Sequence, residues 1–260
     1  MHKPILETES LTFAYHDGKP VLDSVTLSIL HGDSVGIIGP NGAGKSTLLM
    51  HYNGILRGEG VVRVDGTEVS KATLKEIRRK VGWVAQDSND QLFMPTLFDD
   101  VAFGPLNMGL GEEEVRARVR EALELVGMTE FAGRPPHHLS GGEKKSAAIA
   151  TVLSMRPEVI LMDEPTNDLD HASRRRLIEF LKGLDVTKVI ASHDLEMIAD
   201  LCRRVVLLDK GRVVADGAAM EILSDEGLLS AHRLEAPLSV VLGRLRRESP
   251  DESGQVTVEQ

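Results

Sequence analysis

The chain has 260 residues but only one cysteine, and aromatic residues make up just 3% of it. Because one thiol cannot close an internal disulfide, Cys202 fits a reducing compartment, and we interpret it as a partly buried structural residue. With so few aromatic rings, Leu, Val, Ile, Ala and Met must fill the interior. Layered packing of helices on parallel strands uses those residues, so we predict an α/β fold.

An excess of positive charge and a membrane-spanning segment are also missing. Thirty Lys and Arg against 40 Asp and Glu give a formal net charge of -10, which argues against nucleic acid or anionic lipid as a general partner. No apolar run approaches the roughly 20 residues that a membrane helix needs, and the start of the chain does not resemble a signal peptide. We expect any phosphate to bind at a local site, and any action at a membrane to require a partner.

Alternating apolar residues mark strands at the start of the chain. Leu11, Phe13 and Tyr15 share one phase, and a second strand-like run after a turn includes Val25 and Ile29. This alternation predicts an N-terminal antiparallel β subdomain.

A mostly helical pattern then runs from Gln86 to about Arg156, after which strands and helices alternate again. This rhythm predicts a mostly parallel central sheet with an α-helical subdomain inserted at about 87–156. We expect residues 1–235 to form one functional domain. Over residues 236–260 the pattern weakens, and the composition predicts a partly disordered tail.

A glycine-rich loop between a short apolar strand and a helix carries a phosphate-binding motif. It satisfies G-x-x-x-x-G-K-[ST], in which backbone N–H groups converge on phosphate oxygens at a positive helix end. Lys45 adds a charge for the β- and γ-phosphates, and Ser46 adds a hydroxyl for Mg²⁺. We therefore predict a P-loop NTPase. The phosphate-binding residues would be Gly39, Pro40, Asn41, Gly42, Ala43, Gly44, Lys45, Ser46 and Thr47.

Two adjacent carboxylates end a second apolar strand, Val159–Met162. Ligands of α/β proteins bind at the carboxyl ends of parallel strands, and a P-loop needs a second group on its metal. We predict that Asp163 supplies that metal ligand. Glu164 lies one residue further and would accept a proton from the water that attacks the γ-phosphate.

The segment Leu139–Glu143 contains a serine and two glycines at a predicted helix start. Ser140 and Glu143 have the spacing of a capping box, a structural role that would explain them alone. Gly141 and Gly142 also leave backbone N–H groups open to an anion. A P-loop, then Leu-Ser-Gly-Gly, then an apolar strand ending in Asp-Glu resembles the ATP-binding cassette (ABC) family, and the match spans about residues 5–230.

The resemblance implies roles for four more residues. Tyr15 would stack on the adenine, although it could be an ordinary strand aromatic. Gln86 would contact Mg²⁺ or the attacking water, and a solvated glutamine is the alternative. His193 would bind the γ-phosphate and hold Glu164 in line. Asp170 matches the loop that crosses between two cassettes, and it also has the position of a helix N-cap.

A second ABC ATPase subunit follows from the same resemblance, in a homodimer or a heterodimer. Ser140, Gly141 and Gly142 would complete the γ-phosphate site of the opposing subunit. Two Mg·ATP units would then hold the closed dimer together, and hydrolysis would remove that contact.

An apolar region in the helical part indicates a branch of the family. Gln91–Pro95 and Val101–Asn107 would form a groove that accepts a helix of a membrane subunit, although Phe93, Phe98 and Phe103 could instead fill the helical subdomain. The sequence of this region resembles that of energy-coupling-factor importers, especially their cobalt and nickel branch. That branch implies a transmembrane coupling subunit, a substrate-binding membrane component, and a location at the cytoplasmic face of the membrane.

Three other functions stay open. The chain could be a soluble, non-transport ABC ATPase, although its single cassette and negative charge argue against this. It could be an importer ATPase for a vitamin or another substrate. A regulator that hydrolyses little is the third, and the set of Asp163, Glu164 and His193 argues against it. His137 and His138 form no convincing transition-metal cluster.

Overall fold

The computed structural model describes residues 3–16 and 18–248, with side chains to residue 244. Its strands are β1 (Pro4–Ala14), β2 (Pro20–Leu30), β3 (Ser34–Ile38), β4 (Glu59–Val64), β5 (Thr67–Glu68), β6 (Val81–Val84), β7 (Val159–Asp163), β8 (Thr187–Ala191), β9 (Arg204–Asp209) and β10 (Arg212–Ala218). Its α-helices are α1 (Lys45–Tyr52), α2 (Leu74–Lys80), α3 (Leu97–Asn107), α4 (Glu112–Leu125), α5 (Gly141–Leu153), α6 (His171–Gly183), α7 (Leu195–Leu201), α8 (Ala219–Ser224), α9 (Glu226–Ala231) and α10 (Leu238–Glu248). Short 3₁₀ turns cover Ser88–Asp90, Thr129–Phe131 and Pro136–His138.

The strands form two sheets within these ranges. An antiparallel sheet has the order β2-β1-β4-β5, and a second sheet has the order β10-β9-β3-β8-β7-β6. In the second sheet the pairs β9-β3, β3-β8, β8-β7 and β7-β6 are parallel, and only β10 pairs antiparallel. The predicted fold class is confirmed: an N-terminal antiparallel β subdomain, a mostly parallel central sheet and an inserted helical region.

The central sheet is covered on both faces, which explains its continuous apolar strands. Every residue of β7 and of β8 is buried, although β8 includes the polar Thr187 and Lys188. One face packs on α6 and α7, and the other packs on α1 and the antiparallel sheet. Because β3, β7 and β8 are parallel neighbours, their carboxyl ends meet at one edge of the sheet, where the site lies.

The inserted region has its own core, formed by α3, α4 and α5. Helix α4 shows why it forms: Val115, Val119 and Leu123 repeat every four residues and are buried, while three acids occupy its first turn. Phe98 packs against this core. Phe93 and Phe103 do not, since they are 62% and 44% exposed and contact each other edge to face.

Both the single thiol and the start of the predicted tail pack into the core on the face of the sheet that α6 and α7 cover. Cys202 is buried behind β3, and burial raises the pKa of its thiol to about 12. Both observations agree with the structural role expected for this residue. Helix α10 covers the first part of the predicted tail and buries Val240, whereas the disorder predicted beyond it lies outside the described residues from 249 onward. Of the helices that the structure describes, none has the length and apolarity to cross a membrane.

Candidate active site

The glycine-rich loop joins β3 to α1 at the carboxyl edge of the sheet. Gly39 has φ 148°, and a Cβ there would lie 2.0 Å from the Leu208 carbonyl oxygen. Gly44 has φ 102°, and its Cβ would lie 2.7 Å from the Val21 oxygen. Only glycine fits both positions, so the loop stays open enough for its N–H groups to face an anion.

Lys45 lies buried over this loop. Its Nζ donates to the carbonyl oxygen of Gly39 at 2.8 Å and to that of Pro40 at 3.3 Å. Burial lowers the pKa of Lys45, while the nearby charges of Glu164 and Asp163 raise it in part. The ammonium is therefore held by neutral carbonyl groups at the place where triphosphate oxygens would supply better partners.

Asp163 is the last residue of β7 and is 3% exposed. Burial raises the pKa of its carboxyl group, and a hydrogen bond with the Ser46 side chain acts in the opposite direction. Its Oδ1 has no hydrogen-bond partner. A buried, unsatisfied carboxylate oxygen beside a hydroxyl is the oxygen-rich environment that Mg²⁺ prefers, so Ser46 and Asp163 fit that ion.

Glu164 follows with a left-handed backbone, φ 44°, which costs a non-glycine residue about 1–2 kcal/mol. Its N–H donates to the Ala191 carbonyl oxygen at 2.8 Å, which fixes this turn against β8. The carboxylate accepts from Ser192 Oγ at 2.7 Å and from the His193 N–H at 3.1 Å. Such strain is retained where the surrounding structure specifies a functional position.

His193 lies directly against Glu164, with Nδ1 2.9 Å from Oε1. Its side chain is 58% exposed, whereas that of Glu164 is 9% exposed. The structure thus brings the two residues together and leaves the ring accessible to a ligand. Ser192 was missed, although its place between the apolar end of β8 and His193 was a usable signal.

Gln86 follows β6 and is exposed. It lines a cavity of about 1000 Å³ together with Ser46 and Asp163. The same cavity extends to Phe93 and Phe103 of the helical region. The predicted metal-side residues and the exposed aromatic pair therefore share one continuous space.

Tyr15 follows β1 and is 44% exposed. Its hydroxyl lies 3.2 Å from Thr47 Oγ1, and its ring contacts Phe13 edge to face at 4.9 Å. The hydroxyl is thus joined to the first turn of α1 while the ring stays accessible. Stacking on an adenine remains a prediction with which this geometry agrees.

Ser140 caps α5 through a complete capping box with Glu143, so its structural role is present. The backbone N–H groups of Gly141 and Gly142 belong to the first turn of that helix, where no preceding carbonyl accepts them. Among the described residues, no hydrogen bond or ion pair joins Ser140, Gly141 or Gly142 to the glycine-rich loop. Ser140 and Gly141 are exposed and Gly142 is partly exposed, so a ligand can reach this helix start, and Gly141 also lines the cavity beside Ser46 and Asp163.

Asp170 has the cap position that its sequence indicated. Its side chain accepts from the N–H groups of Ala172 and Ser173, both at 2.9 Å, at the start of α6. A role across a dimer is compatible with this cap but remains a prediction. His137 and His138 lie in a 3₁₀ turn, and in the described part of the chain no three His, Cys, Asp or Glu side chains form a metal-binding group.

Three comparisons with known proteins agree with this geometry. Residues 22–167 match the family model described as ABC transporter. The chain is 48% identical to the cobalt import ATP-binding protein CbiO of Rhodobacter capsulatus, over 95% of this chain and 90% of that one.

It is 45% identical to the energy-coupling factor transporter ATP-binding protein EcfA of Methanothermobacter thermautotrophicus, over 98% and 85%. The structure also superposes on the ATP-binding cassette MJ0796, solved as a dimer in a post-hydrolysis state with ADP and phosphate. The TM-score is 0.75 at 30% identity, covering 82% of this chain and 98% of that one.

Proposed function

Because this chain belongs to the ABC transporter family, and so binds and hydrolyses ATP, we propose that it is the ATPase subunit of an energy-coupling-factor importer. Its similarity to CbiO and EcfA along almost the whole chain supports that branch. The observation that carries the proposal is the cavity that Ser46 and Asp163 share with Phe93 and Phe103. We infer that a change at the nucleotide reaches a partner at this cavity through the residues that line it.

In the proposed site, residues 39–47 hold the phosphates, and Ser46, Asp163 and Gln86 hold Mg²⁺. When bound, the ion would neutralise negative charge on the phosphates. Glu164 accepts the proton of the attacking water, because it is the carboxylate that Ser192 and His193 orient. Tyr15 stacks on the adenine.

The closed state is a dimer in which Ser140, Gly141 and Gly142 of one protomer contact the γ-phosphate bound by the other. Among the described residues, no hydrogen bond or ion pair joins this helix start to the glycine-rich loop of its own protomer. Asp170, at the start of α6, would face the second protomer. The dimeric state of the related cassette MJ0796 supports this arrangement.

Transport requires partners in the membrane. We assign the exposed pair Phe93 and Phe103 to a helix of a transmembrane coupling subunit, because apolar side chains at such exposure favour burial in an interface. The chain would then lie at the cytoplasmic face of the membrane. Cobalt or nickel is the proposed cargo, selected by a separate membrane component, and the name of the relative CbiO supports cobalt.

Purification of the chain from its native membranes tests this function. We expect transmembrane subunits to co-purify, and cobalt or nickel uptake to stop when the chain is deleted. Phe93→Glu with Phe103→Glu should release the chain from membranes while ATPase activity in solution persists. Met220→Glu is the matched control, since Met220 is 53% exposed on α8. Recovery with ribosomes or DNA would contradict transport, and uptake of a vitamin instead would contradict only the metal cargo.

A further inference from the structure

Lys145 is a buried lysine on α5, five residues after the cap Ser140. It is 3% exposed, and its Nζ donates to the carbonyl oxygen of Gln86 at 2.7 Å and to that of Ala85 at 3.2 Å. In the described part of the chain no carboxylate forms an ion pair with it. Burying an ammonium is costly unless hydrogen bonds satisfy it, so these two carbonyl groups account for its place.

A second side chain fixes the same segment to the same helix. Gln91 Nε2 donates to the Ala148 carbonyl oxygen at 2.9 Å and to Thr151 Oγ1 at 2.7 Å. Its Oε1 accepts from the Ala85 N–H at 3.2 Å. Residues 85–91 are therefore bound to α5 at both ends, and Lys144 adds a hydrogen bond to Asn89 between them. We call the contacts made by Lys145 and Gln91 the α5 brace.

The α5 brace connects two parts of the proposed site that serve different nucleotides. In the proposed dimer the first turn of α5 contacts the ATP of the partner protomer. Gln86 faces the cavity that Ser46 and Asp163 line, where the protomer's own Mg·ATP would lie. Because Lys145 Nζ holds the Gln86 carbonyl oxygen, a displacement of α5 that keeps this hydrogen bond also displaces the Gln86 backbone.

We infer that Lys145 is a positioning residue for ATP hydrolysis. Through Lys145, the position of α5 against the partner's nucleotide determines where Gln86 lies at the nucleotide of its own protomer. This inference rests on the roles proposed above for Gln86 and for the start of α5. In this role Lys145 contacts neither ATP nor water nor metal.

Lys145→Met tests the inference in the full-length chain, because methionine has a similar length but cannot donate. We expect kcat for ATP to fall about 10- to 100-fold, since small misplacements of a reacting group have effects of that size, with KM changed less than about threefold. Lys145→Arg keeps the charge and the donors and should recover most of kcat. Lys182→Met is the matched control: this exposed lysine lies on α6 and donates to Glu179 Oε1, and among the described residues no hydrogen bond joins it to residues 85–91.

A double-mutant cycle with Gln86→Ala separates positioning from a general structural effect. If Lys145 acts through Gln86, Lys145→Met will lower kcat no further in the Gln86→Ala background. A double variant whose loss equals the product of the two single losses would overturn the inference, as would a wild-type kcat in Lys145→Met. Lys145→Gln, which is neutral but keeps an N–H donor, replaces Lys145→Met in the cycle if that variant does not fold.

The cycle also distinguishes this inference from the proposed site. Gln86→Ala with unchanged kcat would refute the role of Gln86, and the role of Lys145 with it. A loss in Gln86→Ala without one in Lys145→Met would refute Lys145 alone.

Discussion

Replacing Glu164 with glutamine removes a charge and a proton acceptor while keeping the shape of the side chain. In the structure the carboxylate accepts from Ser192 Oγ at 2.7 Å and from the His193 N–H at 3.1 Å. The glutamine oxygen can keep the second bond, and the serine hydroxyl can rotate to accept from the amide group. We therefore expect Glu164→Gln to fold.

The two effects of this substitution differ in size. Exchanging a charge-assisted hydrogen bond for a neutral one costs about 1 kcal/mol of folding stability, or about 2–4 °C in Tm. Loss of a general base lowers a rate about 10²- to 10⁴-fold, which is about 2.7–5.4 kcal/mol in activation free energy. Hydrolysis should therefore fall far more than stability does.

Steady-state ATP hydrolysis and sedimentation of the same samples with Mg·ATP measure both consequences. We expect low kcat and an accumulating dimer, because the nucleotide that holds the protomers together is no longer cleaved. Gly141→Glu in the Glu164→Gln background is the control. A Cβ at Gly141 meets only the Asp168 carbonyl oxygen, at 3.7 Å, so the change fits locally but adds a negative charge at the proposed contact with the partner's phosphate.

Two results would refute this reasoning separately. A kcat within about threefold of the wild type would show that Glu164 is not the base. A Glu164→Gln protein that stays monomeric at saturating Mg·ATP would refute the nucleotide-dependent dimer while leaving the base assignment intact.

Lys45→Ala should weaken ATP binding about 10- to 150-fold, because a charge-assisted contact contributes about 1.5–3 kcal/mol. Titration calorimetry measures the affinity, with Lys182→Ala, a substitution at a surface residue, as the control. An unchanged affinity would contradict the phosphate-binding role of Lys45. Asp163→Asn should raise the Tm of the nucleotide-free protein at pH 7 while abolishing Mg²⁺-dependent hydrolysis. Burial raises the pKa of the Asp163 carboxyl group above its ordinary 3.8. The folded state therefore holds the carboxyl proton more tightly than the unfolded chain does. Folding stability is lost as the pH rises through the raised pKa of the folded state. The Tm gain of Asp163→Asn should shrink at acidic pH, and a lower Tm at pH 7 would show that the ionised carboxylate is not a cost.

Several features could be predicted from the sequence because their chemistry is local in the chain. The phosphate-binding loop is contiguous, and Gly39 and Gly44 allow a backbone that other residues cannot adopt. The apolar run before Asp163 is typical of a buried parallel strand. The helix caps at Ser140 and Asp170 depend only on residues within three positions of each cap. Short-range spacing and the period of apolar residues thus predicted the fold class, the phosphate-binding loop and the two carboxylates after the apolar run of β7. The other assigned roles came from the resemblance to the ABC family.

Tertiary packing decided what sequence patterns treat as equivalent. Lys144 and Lys145 are neighbours of one type, yet only Lys145 turns inward onto the Gln86 carbonyl. Phe98 enters the helical core, whereas Phe93 is left exposed.

Contacts between neighbouring strands likewise determine the partners of the Glu164 carboxylate. It meets Ser192 and His193 because β7 and β8 are parallel neighbours, which places residues almost thirty positions apart at one sheet edge. Strand order, helix rotation and the direction of a side chain all arise from long-range contacts. No local pattern encodes those contacts, because their free energy exists only when distant segments of the chain pack together.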